Sequence, residues 1–456
     1  MKISRRRCLQ GVIAASSSML LSSCASRRGI LGDTYDYELV LAETPLTLKP
    51  RTVTPAWTFN GQAPGPVLRV KQNQPVRILV RNHLPEATTI HWHGIRLNNA
   101  ADGVPGLTQE PIPSGGTFVY EFTCPDAGTF WYHPHMNSVV QLSRGLVGLL
   151  IVDEEEPVHF DQDVALALKD WHLHEDGSFA PFTSHRAAAR TGTLGNFPTV
   201  NGKPELRVPV LAGSVVRLRL ANLDNTRVFN IGADLPAQVL AVEGNPLAEP
   251  EPLTTHPLGA GMRVDLAIQV PTTPGVHHIV DRKGSFEFTI CELEVIPSGL
   301  LPRSVPKLPL NPIPALDLAN AKRIPLVFEW AGALSPVNHH GEVDAIFWTI
   351  NKRAWSDHSH MHLPEPLAVL KRGETYIFEL HNATPHHHPI HLHGFTFTVL
   401  KSNQREIKPY HTDTILLEKN ERAEVAIVAD NPGDWMFHCH VIEHMDTGLM
   451  GYIRVT

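Results

Sequence analysis

Four short segments of this 456-residue chain place histidine where it could hold metal ions. They are His91-Trp92-His93-Gly94, Trp131-Tyr132-His133-Pro134-His135, His388-Pro389-Ile390-His391-Leu392-His393-Gly394, and His438-Cys439-His440 with His444 just beyond. Imidazole is the commonest metal ligand in proteins. Among 27 histidines, however, a lone His-x-His arises by chance, so no single pair carries weight. Two features do. The pairs sit in apolar or aromatic sequence that reads as β-strand, where residues i and i+2 share a face, so each pair offers two rings side by side. In the fourth segment the same alternation puts His438 and His440 on one face and Cys439 on the other. One tripeptide can therefore serve two metal sites. A thiolate with two imidazoles and a weak axial group is the blue-copper electron-transfer arrangement, and Cys439, His444 and the distant His388 could supply it. Zinc is the alternative for any Cys/His cluster, yet its sites favour more cysteines and closer loop spacing.

Rings held this way need strands to hold them. Helical periodicity is scarce after residue 33, and short alternating runs broken by Pro, Gly and Asn predict an all-β chain. One unit recurs. Phe59-Asn60-Gly61 leads to the alternating run Pro75–Asn82, Val200-Asn201-Gly202 to Val215–Asn222, and Thr349-Ile350-Asn351 to Thr375–Asn382. Copies spaced by about 150 residues are domains, too long for solenoid repeats. The reading is three consecutive β domains at residues 34–155, 158–295 and 320–456, with a proline-rich linker at 296–319 before the third.

Ahead of these, Ser4-Arg5-Arg6-Arg7-Cys8-Leu9 and the small, apolar run from Gly11 to Leu21 resemble a twin-arginine signal within residues 1–28. Leu21-Ser22-Ser23-Cys24 resembles a lipobox in which Cys24 would carry lipid; an ordinary cleavage nearby is the alternative. The apolar run is too short for a stable membrane span. The expected location is the periplasm or cell envelope. Lifting Lys2, Arg5, Arg6 and Arg7 out of a net charge of −7 leaves −11, which gives nucleic acid no electrostatic footprint. Of five cysteines, Cys124, Cys291 and Cys439 lie beyond the signal. Export permits a disulfide, but spacing does not say whether Cys124 and Cys291 meet.

Together the four segments resemble the multicopper oxidase family, which includes laccases and bacterial cuprous oxidases. The resemblance spans essentially the whole chain after the signal. It implies three cupredoxin-like Greek-key β-barrel domains and four copper ions. The type 1 copper would take His388, Cys439 and His444. The type 2 copper would take His91 and His391. One type 3 copper would take His93, His133 and His440, and the other His135, His393 and His438. The middle domain, without matching pairs, would hold none. The implied reaction is one-electron oxidation of a small reducing substrate coupled to four-electron reduction of dioxygen to water, by a protein expected to act as a monomer.

The resemblance also gives Asp102, in Ala101-Asp102-Gly103, the role of a carboxylate that helps protonate reduced oxygen, and the Thr108-Gln109-Glu110-Pro111-Ile112 stretch after it is similar to laccases. Asp-Gly is equally a turn signal. Glu443 and Asp446 are further acids, read as solvated surface; the second proton donor stays open. His172 and His174 are read as surface or core residues, and His386 and His387 as flanking the ligand segment. His358, His360 and His362, with Asp357 and Met361, would be either a labile copper site or a polar loop. The family's axial position falls ten residues after the cysteine, on Leu449, with Met450 next door. Leucine has no lone pair, which would raise the reduction potential and suit phenol-type donors. Eight unclustered methionines argue against the methionine-rich insert of cuprous oxidases, although a cuprous-ion substrate remains the alternative. A third reading, a copper-free cell-division scaffold of the same fold, would lack ligand histidines, and none is missing.

Overall fold

The alternating runs form strands, and six sheets account for almost all of the regular secondary structure among the described residues. The computed structural model describes residues 34–282, 288–331, 345–355 and 363–456. The signal with Cys24 and the stretch holding His358, His360 and His362 lie outside the described residues. Among those described, no helix is long and apolar enough to cross a membrane. Asp36–Thr456 is one compact unit.

The sheets fall in chain order into three pairs, with four and four strands, then six and five, then six and five. The repeated sequence unit has the same geometry each time. The opening strand of each pair runs parallel to the strand that ends in asparagine: Tyr37–Leu46 beside Pro75–Asn82, Gln162–Trp171 beside Val215–Asn222, and Lys322–Trp330 beside Thr375–Asn382. Asn60, Asn201 and Asn351 share a left-handed backbone, φ 54, 52 and 51°, which asparagine tolerates better than most residues. Each side chain closes its turn on the opening strand, accepting from the N–H of Val40, Ala167 or Val327 at 2.7–2.8 Å.

The strand-ending Asn82, Asn222 and Asn382 are fully buried. Each accepts from the N–H two residues on, at Leu84, Asp224 and Thr384, and donates to two carbonyls of its own loops. A buried amide so fully bonded costs little and fixes the course of the following loop. In the first and third copies that loop leads into the histidine strands His91–His93 and His388–Leu392.

Cys124 and Cys291 are free, buried thiols in two different hydrophobic cores, each pushed up to about 12 by burial. That answers the disulfide question. The linker crosses between the first two sandwiches, where Asn311 donates to the carbonyls of Ala127 and Gly244.

Candidate metal centre

Strand Gly433–Cys439 pairs on one side with His388–Leu392 and on the other with Met450–Val455. The register sets Cys439 against Ile390 and His438 against His391, so alternation sends the thiol and the two flanking rings to opposite faces, as the spacing predicts. On one face Cys439 Sγ lies 3.4 Å from His388 Nδ1 and 3.6 Å from His444 Nδ1, and the two nitrogens are 3.1 Å apart. A point equidistant from the three atoms is about 2 Å from each, the length of an imidazole–metal bond. The outer nitrogens are already engaged. His388 Nε2 meets Thr384 Oγ1 at 2.9 Å, and His444 Nε2 donates to the Arg190 carbonyl at 2.7 Å.

All three side chains are fully buried. Burial takes His388 well below the usual imidazole range and His444 down to about 3, so both rings are neutral donors. Burial also pushes the Cys439 thiol up, so it would keep its proton unless a cation displaced it, as a coordinating metal does. Leu449 shares the core of Cys439, whereas Met450 lies opposite His438 and packs in another core.

On the other face eight imidazoles from the first and third sandwiches converge. His93, His133 and His440 bring their donor atoms within 4.8 Å of one another, and so do His135, His393 and His438. The rings of His91 and His391 have centroids 5.8 Å apart. Two stacked pairs tie the sandwiches together, His91 on His393 and His93 on His391, each at 3.7 Å.

Six of the rings, His91, His93, His133, His135, His391 and His440, leave eight buried nitrogens without a hydrogen-bond partner. At about 1–3 kcal/mol for each unpaired buried group, the sum rivals the stability of a whole domain. One nitrogen from each ring converges on its neighbours across a buried space, an arrangement that fits a cation site. Desolvation, together with neighbouring rings, lowers the pKa of His93, His133, His135, His393, His438 and His440, which keeps them unprotonated. An all-imidazole set beside a His₂Cys set fits copper.

Two carboxylates sit among the rings. Asp102, 1% exposed, takes His91 Nδ1 on its carbonyl at 2.8 Å and His393 Nδ1 on its side chain at 3.0 Å. Asp102 stands both in a turn and among the rings. Gly103 follows at φ +82°, and a Cβ there would lie 1.9 Å from the Ile90 carbonyl, so only glycine lets the turn press Asp102 onto the histidine strand.

The second carboxylate, Asp413, was not singled out from sequence. Its carbonyl takes His391 Nδ1 at 2.9 Å, and its Oδ1 lies 3.3 Å from His93 Nε2. Burial raises its pKa, but the Arg263 guanidinium more than offsets this and holds it well below the usual carboxylate range. A lone Asp ahead of the apolar run Ile415-Leu416-Leu417 was the one available signal. Arg263, from the middle sandwich, gave none.

The expectation that Glu443 is solvated surface is corrected. It is 2% exposed and accepts from Thr183 Oγ1 at 2.5 Å, from Thr193 Oγ1 at 2.9 Å and from the Thr193 N–H. These bonds hold the middle-sandwich segment whose Arg190 carbonyl caps His444. Asp446 is half-buried. His387 pairs with Glu418 at 2.9 Å, His172 is half-buried and His174 exposed, so none of these joins either cluster.

Family models described as multicopper oxidase match residues 41–157 and 335–456. Laccase-2 of Botryotinia fuckeliana is 30% identical over 90% of this chain and 81% of its own length. The multicopper oxidase MmcO of Mycobacterium tuberculosis is 27% identical over 98% of this chain and 96% of its own. A crystal structure of a multi-copper oxidase from Pseudomonas thermotolerans superposes with a TM-score of 0.85 at 44% identity, covering 93% of this chain and all of that one. The sandwiches are therefore cupredoxin-like, and the chain belongs to the multicopper oxidase family, copper-dependent oxidoreductases that use oxygen as acceptor.

Proposed function

We propose that this oxidase holds four coppers and draws its electrons from phenol-type donors, as a laccase does. His388, Cys439 and His444 would hold the type 1 copper, and His91 and His391 the type 2 copper. His93, His133 and His440 would hold one type 3 copper, and His135, His393 and His438 the other. The observation that carries the assignment is the division of His438-Cys439-His440 between two donor clusters. When bound, the type 1 copper would take single electrons from substrate, and the four coppers together, one electron each, would supply the four that convert dioxygen to water.

The chain's own part is to link, shield and protonate. Cys439 belongs to one cluster and its sequence neighbours to the other, so the covalent path between them spans only a few residues, on the order of 10 Å. Burial of all eleven side chains keeps bulk water off the donor atoms. Asp102 would pass protons toward the cluster through its side-chain oxygens, which lie beside His393. It is supported in that role by having only histidine partners among the described ion pairs. Leu449 would occupy the axial position without coordinating, a placement supported by the register that puts Met450 on the His438 side.

Phenol-type donors are favoured by the likeness to Laccase-2 and by a type 1 site without a thioether. Cuprous ion is the alternative. Oxygen uptake by the copper-loaded protein with a phenol, a diamine and cuprous ion would decide; turnover with cuprous ion alone would overturn the laccase reading.

Export by the twin-arginine route to the periplasm or envelope, a lipid anchor at Cys24 and a monomeric state belong to the same proposal, supported by the N-terminal sequence. Arg5→Lys with Arg6→Lys should leave precursor in the cytoplasm, and Cys24→Ala should free the protein from membranes. Wild-type protein found wholly soluble would remove the anchor.

A further inference from the structure

The middle sandwich reaches into the histidine cluster although it contributes no histidine to it. Arg263, at the start of strand Arg263–Gln269, is fully buried and points at Asp413 of the third sandwich. Its Nη1 donates to Asp413 Oδ1 at 3.0 Å and its Nη2 to Oδ2 at 2.5 Å, a two-pronged contact that fixes the plane of the carboxylate. Thr414 Oγ1 adds a third donor, at 2.7 Å from Oδ1.

The guanidinium is itself locked. Nη1 pairs with Glu243 Oε2 at 2.5 Å and donates to the Gly261 carbonyl, and Nε donates to the Thr129 carbonyl at 3.2 Å. The first sandwich makes room for it. Gly94, directly after His91-Trp92-His93, has φ +87°, and a Cβ there would come within 2.4 Å of Arg263 Nη2 and 2.6 Å of Asp413 Oδ2. All three sandwiches therefore shape one ion pair.

Asp413 passes this order to the rings. With its carbonyl on His391 Nδ1 and its Oδ1 facing both His391 and His93, it leaves His391 Nε2 and His93 Nδ1 as the nitrogens without partners. Asp102 sits against His91 and His393 in the corresponding place, with no arginine or lysine paired to it among the described residues.

We infer that Arg263 is a positioning residue for the type 2 copper, acting through Asp413 on the orientation of His391. The inference rests on the copper assignment proposed above. Outer partners of metal ligands are worth about 10–100-fold in metal affinity, and a lysine could not replace both prongs.

The test uses the copper-loaded full-length protein. Arg263→Met is compared with Arg263→Lys and with Arg217→Met, which breaks the equally buried pair of Arg217 with Asp265 away from the rings. Type 2 copper is followed by electron paramagnetic resonance during dialysis against a chelator, with the blue band as internal reference. Arg263→Met should lose type 2 copper at least about tenfold faster than wild type while the blue band persists, and Arg217→Met should not. Equal loss in the two methionine variants, or wild-type retention in Arg263→Met, would overturn the inference. Should Arg263→Met fail to fold, Arg263→Lys decides. An altered type 2 signal with an unchanged blue band supports the role, and an unaltered one defeats it. Wild-type protein without a blue band would instead defeat the copper assignment itself.

Discussion

The two clusters share strand Gly433–Cys439, yet their surroundings differ in kind. Around Cys439, His388 and His444 the outer contacts are neutral: the Thr384 hydroxyl, the Arg190 carbonyl and the Val441 N–H on sulfur. Trp348 stands 4.5 Å from His444 and 5.2 Å from His388, ring centre to ring centre. Among the described residues no carboxylate touches these ligands. Around the eight-ring cluster two buried carboxylates do, Asp102 and Asp413. A site that only passes electrons needs a stiff, aprotic shell. One that turns oxygen into water also consumes protons and must keep acids within hydrogen-bond reach. The contrast therefore matches the division of chemistry proposed for the two faces.

The contrast can be broken in several ways, beginning with the largest effect. Cys439→Ser should abolish the blue band and essentially all turnover, because the electron-collecting site loses its thiolate; a surviving blue band would refute the assignment. Asp102→Asn should separate the faces. Reduction of the blue copper by substrate should stay near wild type, while reoxidation by oxygen slows about 100-fold or more. Stopped-flow absorbance measures both, and an equal slowing of the two would mean that the faces are not chemically distinct.

Copper removal by a chelator should lower the thermal midpoint by several degrees, since one buried nitrogen on each of six rings loses its only partner and the native state its bound ligand. Calorimetry with and without copper checks it, and an unchanged midpoint would speak against a site built for cations. The smallest effect is axial. Leu449→Met should lower the type 1 potential and weaken phenol oxidation, whereas Met450→Leu should shift it little. Redox titration that finds the larger shift in Met450→Leu would move the axial position.

What the sequence by itself determined is whatever depends on local spacing. Strand alternation divided His438 and His440 from Cys439, because the side-chain period of two holds in any strand. The recurring asparagines announced three copies of one sandwich, because the same buried amide closes the same turn each time. Tertiary structure alone decided the partners of those ligands. Arg263 and Asp413 are 150 positions apart, and Arg190 and His444 are 254 apart. A contact between two sandwiches has no period to betray it, and a carbonyl cap carries no side-chain signature at all. Glu443 shows the same limit from the other side. As a carboxylate beside a ligand it reads as surface, and only the packing of the Thr183–Thr193 segment over it makes it a buried anchor. The type of chemistry was written in spacing that survives in an unfolded chain. Which groups orient, cap and neutralise it depends on distances that exist only once the three sandwiches have docked.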